Sequence, residues 1–194
     1  MADNKTRTVD KWKNKKWFKV FSSKLFGERE IASIVGIEPE GLAGRTIEVN
    51  ARDLVRDIRS GQFYLKFKIS GVQGLNASTF LASHDVQPGY LRRLVRRRSS
   101  KIEIVQTLMS RDNESFKIKA ACISVFKLDR SKRSAIQKMI EENISELAKK
   151  YAYENFIKES LFGNVLEDAV KKIKKIAPVK KLEIVKSVRL TQAR

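Results

Sequence analysis

A run of arginines offers the clearest binding chemistry in this sequence. Five of the seven residues in this run are arginines, namely Arg92, Arg93, Arg96, Arg97 and Arg98. The guanidinium group is always charged and presents a planar fork of donors, so it binds phosphate in a bidentate manner and stacks on exposed bases. The run therefore indicates a surface that binds phosphate groups.

The apolar residues between these arginines are spaced to anchor one face of a helix. We predict a helix over 88–98, with Pro88 in its first turn. Arg92 with Arg96, and Arg93 with Arg97, would then be pairs of equal charge four residues apart. Each such pair destabilises an isolated helix by about 0.2–0.5 kcal/mol. A helix lying against phosphates would gain from this pattern. A solvated basic face is the alternative interpretation.

A second basic segment, near the N-terminus, combines lysines with two indole rings. Trp12 and Trp17 are interleaved with the basic residues Lys11, Lys13, Lys15, Lys16 and Lys19. An indole ring that stacks on a splayed base contributes about 1–3 kcal/mol. Two interpretations stay open: the tryptophans stack on bases, or they dock on the protein's own core or on a neighbouring protein. The lysines would meet phosphate in either case.

Residues that support catalysis or metal binding are sparse. Ser83, His84 and Asp85 are the residue types of a triad, but neighbours on one extended segment cannot converge as a triad must. The chain has one histidine and one cysteine, which excludes a disulfide and a Cys/His zinc site within one chain. Its apolar neighbours predict that Cys122 is a buried, inert thiol. We expect no enzyme, no metal site and no cofactor.

The composition of the whole chain favours a polyanionic partner. Lys and Arg number 41 against 22 Asp and Glu, which gives a formal net charge of +19. Self-repulsion of this size opposes compaction unless a counter-charge is present. A membrane partner is not expected, because no apolar run approaches the ~18 residues of a spanning helix. The polar start of the chain, without an apolar signal-peptide core, predicts the cytoplasm.

The secondary-structure elements that the sequence predicts around these residues indicate an α+β fold. Alternation of apolar and polar residues over 63–69 predicts a half-buried strand, and the doubly apolar run 116–125 predicts a central strand. A hairpin loop at 111–114 leads into the latter. The apolar period then becomes helical over 131–177, and 182–190 predict a closing strand that returns to the sheet.

These patterns divide the chain into four segments. We predict an extended basic, aromatic arm over 1–27 and a β-rich core over 28–130. A helical region over 131–177 follows, and 178–194 hold the closing strand and a C-terminal tail.

A short stretch before one predicted strand adds a further candidate. Two glycines, Gly41 and Gly44, bracket a turn, and Arg45 follows directly. Arg45 is a candidate phosphate contact, and the alternative is that it pairs with Glu48 or Asp53 on the protein's own surface.

Taken in chain order, several segments resemble one ribosomal protein family. It is the small-subunit S-three-a family of archaea and eukaryotes, also called eukaryotic-type S-one. The segments are the two-tryptophan stretch from Val9 to Trp17, the stretches 41–54 and 66–76, the arginine run, and 178–185. Phe21-Ser22-Ser23 departs from the Ala-Pro pair frequent in the family. The short length and the segment 24–27 resemble archaeal members.

The resemblance implies a β-barrel core with C-terminal helices. It also implies a place on the platform of the small subunit, near the mRNA exit. The implied partners are small-subunit rRNA and neighbouring platform ribosomal proteins, with direct contact to mRNA left open. We therefore interpret the chain as a structural constituent of the small subunit. A free, sequence-tolerant RNA-binding translation factor is the alternative, and an enzyme acting on RNA is the rival that the missing catalytic residues disfavour.

Overall fold

The computed structural model describes residues 12–55, 60–163 and 165–190 of the 194-residue chain. Within these ranges the chain forms eight strands and five helices, which confirms the predicted α+β class. In chain order they are β1 (Lys16–Phe21), β2 (Glu30–Gly36), β3 (Thr46–Asn50), α1 (Ala51–Val55), β4 (Phe63–Gln73), β5 (Asn76–Val86), α2 (Pro88–Leu94), β6 (Lys101–Met109), β7 (Ser115–Ser124), α3 (Arg130–Lys150), α4 (Tyr153–Phe162), α5 (Val165–Lys174) and β8 (Val179–Arg189).

All eight strands belong to one mixed sheet. Its hydrogen-bonded order is β2-β1-β5-β8-β7-β6, while β4 pairs with both β3 and β5. The β1–β5 pair is parallel, whereas β1–β2, β5–β8, β6–β7 and β7–β8 are antiparallel. A barrel requires its first and last strands to pair. In the described residues β2 and β6 do not pair with each other, so the predicted barrel is not confirmed.

The chain divides into two compact units. One comprises Met1–Ile47 and Lys68–Phe80, and the other comprises Glu48–Phe67 and Leu81–Arg194. The first unit, as far as it is described, has a core built from β1, the end of β4 and the start of β5. Its buried residues are Phe18, Val20, Leu42, Ile69 and Ala77.

The structure differs from the predicted arm at β1. Residues Lys16–Phe21 pair with β2 and β5, and their side chains Phe18 and Val20 are 2% and 0% exposed. The apolar alternation spans only a few residues, and Trp17 obscures it because this apolar side chain lies on the exposed face. Six residues of the predicted arm over 1–27 therefore form a core strand instead. Residues 1–11 lie outside the described residues.

The second unit is organised around β7, the strand between β6 and β8. Residues 120–124 of β7 are all buried, which confirms the predicted central strand. The predicted loop at 111–114 joins β6 to β7, and β8 confirms the predicted closing strand. Phe116 on β7 holds α4 in place, because its ring centroid lies 5.2 Å from that of Tyr153 and 5.7 Å from that of Phe156.

The helices of this unit cover the sheet rather than extend from it. α3 packs against β6, while α4 and α5 pack against β8. Over the ranges that the structure describes, no helix combines the length and apolar character needed to cross a membrane.

Candidate nucleic-acid interface

The arginine run is divided between a helix and a turn. α2 ends at Leu94, and Val95 has extended backbone geometry. Only Arg92 and Arg93 therefore lie on the helix. The predicted helix through Arg98 is wrong, and like-charge pairs four residues apart on one helix do not arise.

A tight turn over 96–99 explains why the helix stops. The Ser99 backbone N–H donates to the Arg96 carbonyl oxygen at 3.2 Å. The Ser99 hydroxyl donates to the same oxygen at 2.6 Å and accepts from the Arg96 N–H at 3.1 Å. Such local bonds from serine compete with helical hydrogen bonds.

Arg98 has an unusual backbone conformation within this turn. Its φ is +66°, the sign that the third position of a type II turn requires. Glycine is the usual residue at such positions, and a residue with a side chain loses about 1–2 kcal/mol there. The turn therefore holds an arginine at a backbone conformation that favours glycine.

The side chains of the run face solvent. All five arginines are exposed. In the part of the chain that the structure describes, no carboxylate lies within ion-pair distance of them. Their charge is therefore not neutralised by these parts of the protein.

A pair of buried serines fixes the chain directly after the turn. The Ser100 N–H donates to Ser124 Oγ at 2.9 Å, and the Ser124 N–H donates to the Ser100 carbonyl oxygen at 3.0 Å. The Ser100 hydroxyl accepts from the Leu128 N–H at 2.9 Å. The residue that follows the turn is therefore fixed to β7 by hydrogen bonds. Such a support helps to hold the binding side chains in place.

Three hydrogen bonds link β8 to α2, and in one of them Lys181 Nζ donates to the Tyr90 hydroxyl at 2.6 Å. The Tyr90 hydroxyl donates to Glu183 Oε1 at 2.9 Å, and burial raises the pKa of Tyr90, which keeps this donor protonated. Lys180 Nζ donates to the Leu94 carbonyl oxygen at 3.3 Å. A cation at the C-terminal end of a helix is favourable because the helix dipole is negative there. Lys180 thus adds a positive charge beside the arginines.

The first unit presents a separate basic and aromatic face. Successive strand residues point to opposite sides, so Trp17 and Lys19 lie on the face of β1 opposite to the core. Trp17 is 67% exposed and Trp12 is 69% exposed, which excludes docking of either ring in the protein's own core. Lys15 Nζ lies 3.7 Å from the Trp12 ring centroid, a cation–π contact.

The structure brings Arg45 to the neighbourhood of Trp17. Arg45 Nη1 donates to the Val35 carbonyl oxygen at 3.5 Å, and Val35 is the register partner of Trp17. The alternative partner Glu48 pairs with Lys66 instead, at 3.1 Å. The exposed Arg45 therefore lies one strand away from the indole.

The predicted binding residues form two surfaces. The tryptophan surface, in the first unit, comprises Trp17, Lys19 and Arg45, while Trp12, Lys13 and Lys15 precede β1 and Lys16 lies on the strand face of Phe18 and Val20. The arginine surface, in the second unit, comprises Arg92, Arg93, Arg96, Arg97, Arg98 and Lys180. Lys11 lies outside the described residues.

The histidine and the cysteine are structural groups. His84 is 0% exposed; its Nδ1 lies 2.6 Å from Ser187 Oγ and its Nε2 lies 3.0 Å from the Ile184 carbonyl oxygen. Neither bond involves Ser83 or Asp85. Burial lowers the pKa of His84 to about 4 and raises the pKa of Cys122 to about 12. The predicted burial of Cys122 is confirmed.

Comparison with known proteins decides the family. Residues 3–193 match the Ribosomal S3Ae family. The chain belongs to this family. Two curated relatives from archaea are each named "Small ribosomal subunit protein eS1". That of Methanoculleus marisnigri is 30% identical, over 93% of this chain and 92% of the relative. That of Saccharolobus solfataricus is 34% identical, over 92% and 86%. The resemblance to the S-three-a family is confirmed.

Sequence reasoning missed the residues that support the arginine surface of this S3Ae-family chain. Ser99 and Ser100 directly follow the arginines, and serine after a charged run is a turn signal that could have predicted the end of the helix. Lys180 carried no comparable signal. It reaches Leu94 across a separation of 86 residues, which only the fold brings together.

Proposed function

We propose that this chain is a structural constituent of the small ribosomal subunit and binds rRNA through the arginine surface and the tryptophan surface. The observation that carries the proposal is the set of five exposed arginines whose charge no described carboxylate neutralises. The names of the relatives support the ribosomal part.

The electrostatics of the arginine surface favour RNA phosphates as the missing counter-charge. Five guanidinium groups and the Lys180 ammonium are concentrated at one helix end and the turn that follows it. Double-stranded RNA is recognised mainly through its phosphates and 2′-hydroxyls, for which guanidinium groups are suitable donors. Arg98 supports this assignment, because its left-handed backbone retains an arginine at the cost of stability.

The tryptophan surface suits a different part of a folded RNA. Trp17 presents an exposed indole, Lys19 lies two residues along the same strand face, and Arg45 lies beside the neighbouring strand. Lys19 pairs with Glu30 at 3.2 Å, but both side chains are exposed, so this bond is weak enough to be exchanged for phosphate. Stacking on an unpaired base, with phosphate on the lysines, is the proposed mode.

The family resemblance extends the proposal to location and partners. We assign the chain to the platform of the subunit near the mRNA exit. Neighbouring platform proteins are its further partners in this proposal, and direct contact with mRNA is left open. In this role the protein is cytoplasmic and has no catalytic activity.

Charge reversal at the arginine surface tests the proposal. The variant Arg93→Glu/Arg97→Glu should bind small-subunit rRNA more weakly. The slope of log affinity against log salt should flatten by about 0.7–0.9 for each phosphate that the variant no longer binds. Filter binding over a salt series measures both quantities.

The matched control is Lys132→Glu/Arg133→Glu, which changes the net charge equally at the exposed first turn of α3 in the same unit. It should keep the wild-type slope. An unchanged slope in the first variant, or an equal change in the control, contradicts local phosphate binding. Sedimentation of a lysate at high salt tests the ribosomal assignment, because a wholly soluble pool would indicate a free RNA-binding factor.

A further inference from the structure

β6 is the terminal strand of the sheet in the second unit, and no described strand pairs with its outer edge. β7 is its only neighbour in the part of the sheet that the structure describes. A strand in this position presents a row of backbone N–H and C=O groups that can pair with an extended segment of another chain. The outer edge of β6 can therefore accept one more strand.

Exposed side chains, two of them apolar, lie along one face of β6. Val105 is 55% exposed, Met109 is 58% exposed, and Thr107 between them is exposed as well. Alternate residues of a strand point to the same side, so these three share a face. Exposed apolar residues on an edge strand favour pairing with another chain. This face of β6 therefore suits apolar side chains of an added strand.

The opposite face of β6 borders an acidic groove on α3. Gln106 points to the same side of β6 as the buried residues Ile102 and Ile104. It lines the groove, of about 420 Å³, together with Lys138, Glu141, Glu142, Ser145 and Glu146 of α3. Three carboxylates and one ammonium make the groove negative. Among the described residues no ion pair involves any of the three carboxylates.

The charge of the acidic groove decides which occupant fits the free edge. Its carboxylates would repel RNA phosphates. A second copy of this chain, paired edge to edge through β6, would bring the same carboxylates of both copies close together, which is also unfavourable. A basic segment of a different protein meets the groove with the opposite charge.

We propose that the outer edge of β6 binds an extended segment of a partner protein in which basic residues alternate with apolar residues. Backbone hydrogen bonds to β6 pair the two strands. The basic side chains lie on the side of Gln106 and meet Glu142 and Glu146, while the apolar side chains lie beside Val105 and Met109. The site rests on the proposed role beside other proteins of the small subunit, and it uses none of the arginines of the arginine surface.

A nine-residue peptide of alternating lysine and valine, equal in length to β6, is the probe. Calorimetry measures its affinity for the full chain, and hydrogen exchange followed by NMR measures protection of the β6 amides. The peptide should bind although the net charge of +19 repels it, and alternate β6 amides should exchange more slowly. A peptide of the same composition, with all lysines before all valines, should bind about tenfold more weakly, because it loses several cross-strand contacts.

Neutralising the acidic groove tests its role. Glu142→Gln/Glu146→Gln changes two exposed side chains and should weaken binding of the alternating peptide about fivefold, as expected for the loss of two exposed ion pairs. The matched control is Glu167→Gln/Asp168→Asn. It removes two exposed carboxylates from the first turn of α5 in the same unit and should bind the peptide as the wild type does.

A charge on the apolar side of the edge tests the other face. Val105→Lys places an ammonium beside the valines of the peptide, and it should weaken binding at least about tenfold. The matched control is Val125→Lys, at a valine that is 46% exposed and follows the end of β7. It adds the same charge outside β6 and should leave peptide binding unchanged.

Absence of peptide binding, or binding without slower exchange in β6, overturns strand pairing at this edge. Wild-type affinity in Glu142→Gln/Glu146→Gln, or an equal loss in its control, overturns the assignment of a basic partner. Self-association of the chain that the peptide reverses would assign the edge to a second copy, and protection of β6 by rRNA would assign it to RNA; either result overturns the proposal.

Failure of the proposed function is distinguishable from failure of this site. The groove and edge variants should keep the rRNA binding and the salt slope of the wild type, because they leave the arginine surface intact. A wild-type chain that binds the alternating peptide but not rRNA would refute the proposed rRNA binding and leave the strand-binding edge in place.

Discussion

The buried histidine predicts how stability depends on pH. The ring of His84 is held by Ser187 and by the Ile184 carbonyl oxygen, and Nε2 must carry the proton because a carbonyl oxygen only accepts. Nδ1 then accepts from the Ser187 hydroxyl, whose oxygen lies 3.0 Å from the Tyr153 hydroxyl. Full burial of the ring favours its neutral form, so protonation of His84 opposes folding.

The magnitude follows from two pKa values. Burial lowers the pKa of His84 to about 4 in the folded protein, against 6.5 for an unperturbed histidine. Between these values the unfolded chain binds the proton more strongly, so the contribution of neutral His84 is present above pH 6.5 and is lost as the pH falls toward 4. Because proton binding and folding are thermodynamically linked, this difference in pKa lowers the free energy of unfolding by about 2 kcal/mol between pH 7.5 and pH 5.

Urea unfolding of wild type and His84→Gln at pH 7.5 and pH 5 measures this contribution. The variant removes the titrating group and keeps a polar side chain, so titrations shared by both proteins cancel in the difference. The stability advantage of the wild type should be about 2 kcal/mol smaller at pH 5 than at pH 7.5. An advantage that is the same at both pH values would show that His84 is not held neutral, and would refute this reasoning.

Backbone positions give two further predictions. Gly36→Ala should lower the unfolding free energy by about 1–3 kcal/mol, because its Cβ would lie 2.9 Å from Cδ2 of the fully buried Leu42. Gly71→Ala, whose Cβ would have 4.0 Å to its nearest neighbour, is the control and should be neutral or stabilising. Arg98→Gly should leave stability unchanged or raise it by up to about 1 kcal/mol, while Arg97→Gly should lower it by about 0.4–1 kcal/mol. Chemical denaturation measures all four, and a loss in Arg98→Gly equal to that in Arg97→Gly would contradict strain at φ +66°.

Elements with long local patterns were predictable from the sequence. The alternation over 63–69 corresponds to part of β4, in which Phe63, Leu65, Phe67 and Ile69 are buried. The helical period after residue 131 corresponds to α3, α4 and α5. Burial on one side repeats along such elements, so the sequence carries the same repeat.

Two of the short elements were predicted incorrectly, because local interactions decide where they begin and end. The helix with Arg92 ends at Leu94 rather than Arg98, since the Ser99 turn competes with the next helical bonds. β1 was predicted as an arm, because the exposed Trp17 interrupts its alternation of apolar and polar residues.

The candidate site, too, was predictable from the sequence only in part. Charge and residue type are properties of the sequence, so the arginine run, the tryptophan–lysine segment and Arg45 could all be identified before the fold was known. Their supports could not, because they are hydrogen bonds between distant residues: Lys180 with Leu94, and Arg45 with Val35.

The sequence by itself indicated a polyanionic partner, because a formal net charge of +19 is independent of how the chain folds. The ordered family segments determined the family in the same way. Only the tertiary structure decided that the predicted basic residues are divided between two units and that the last arginines lie on a turn. The physical reason is that burial and hydrogen bonding depend on residues far apart in the chain, and no local pattern records them.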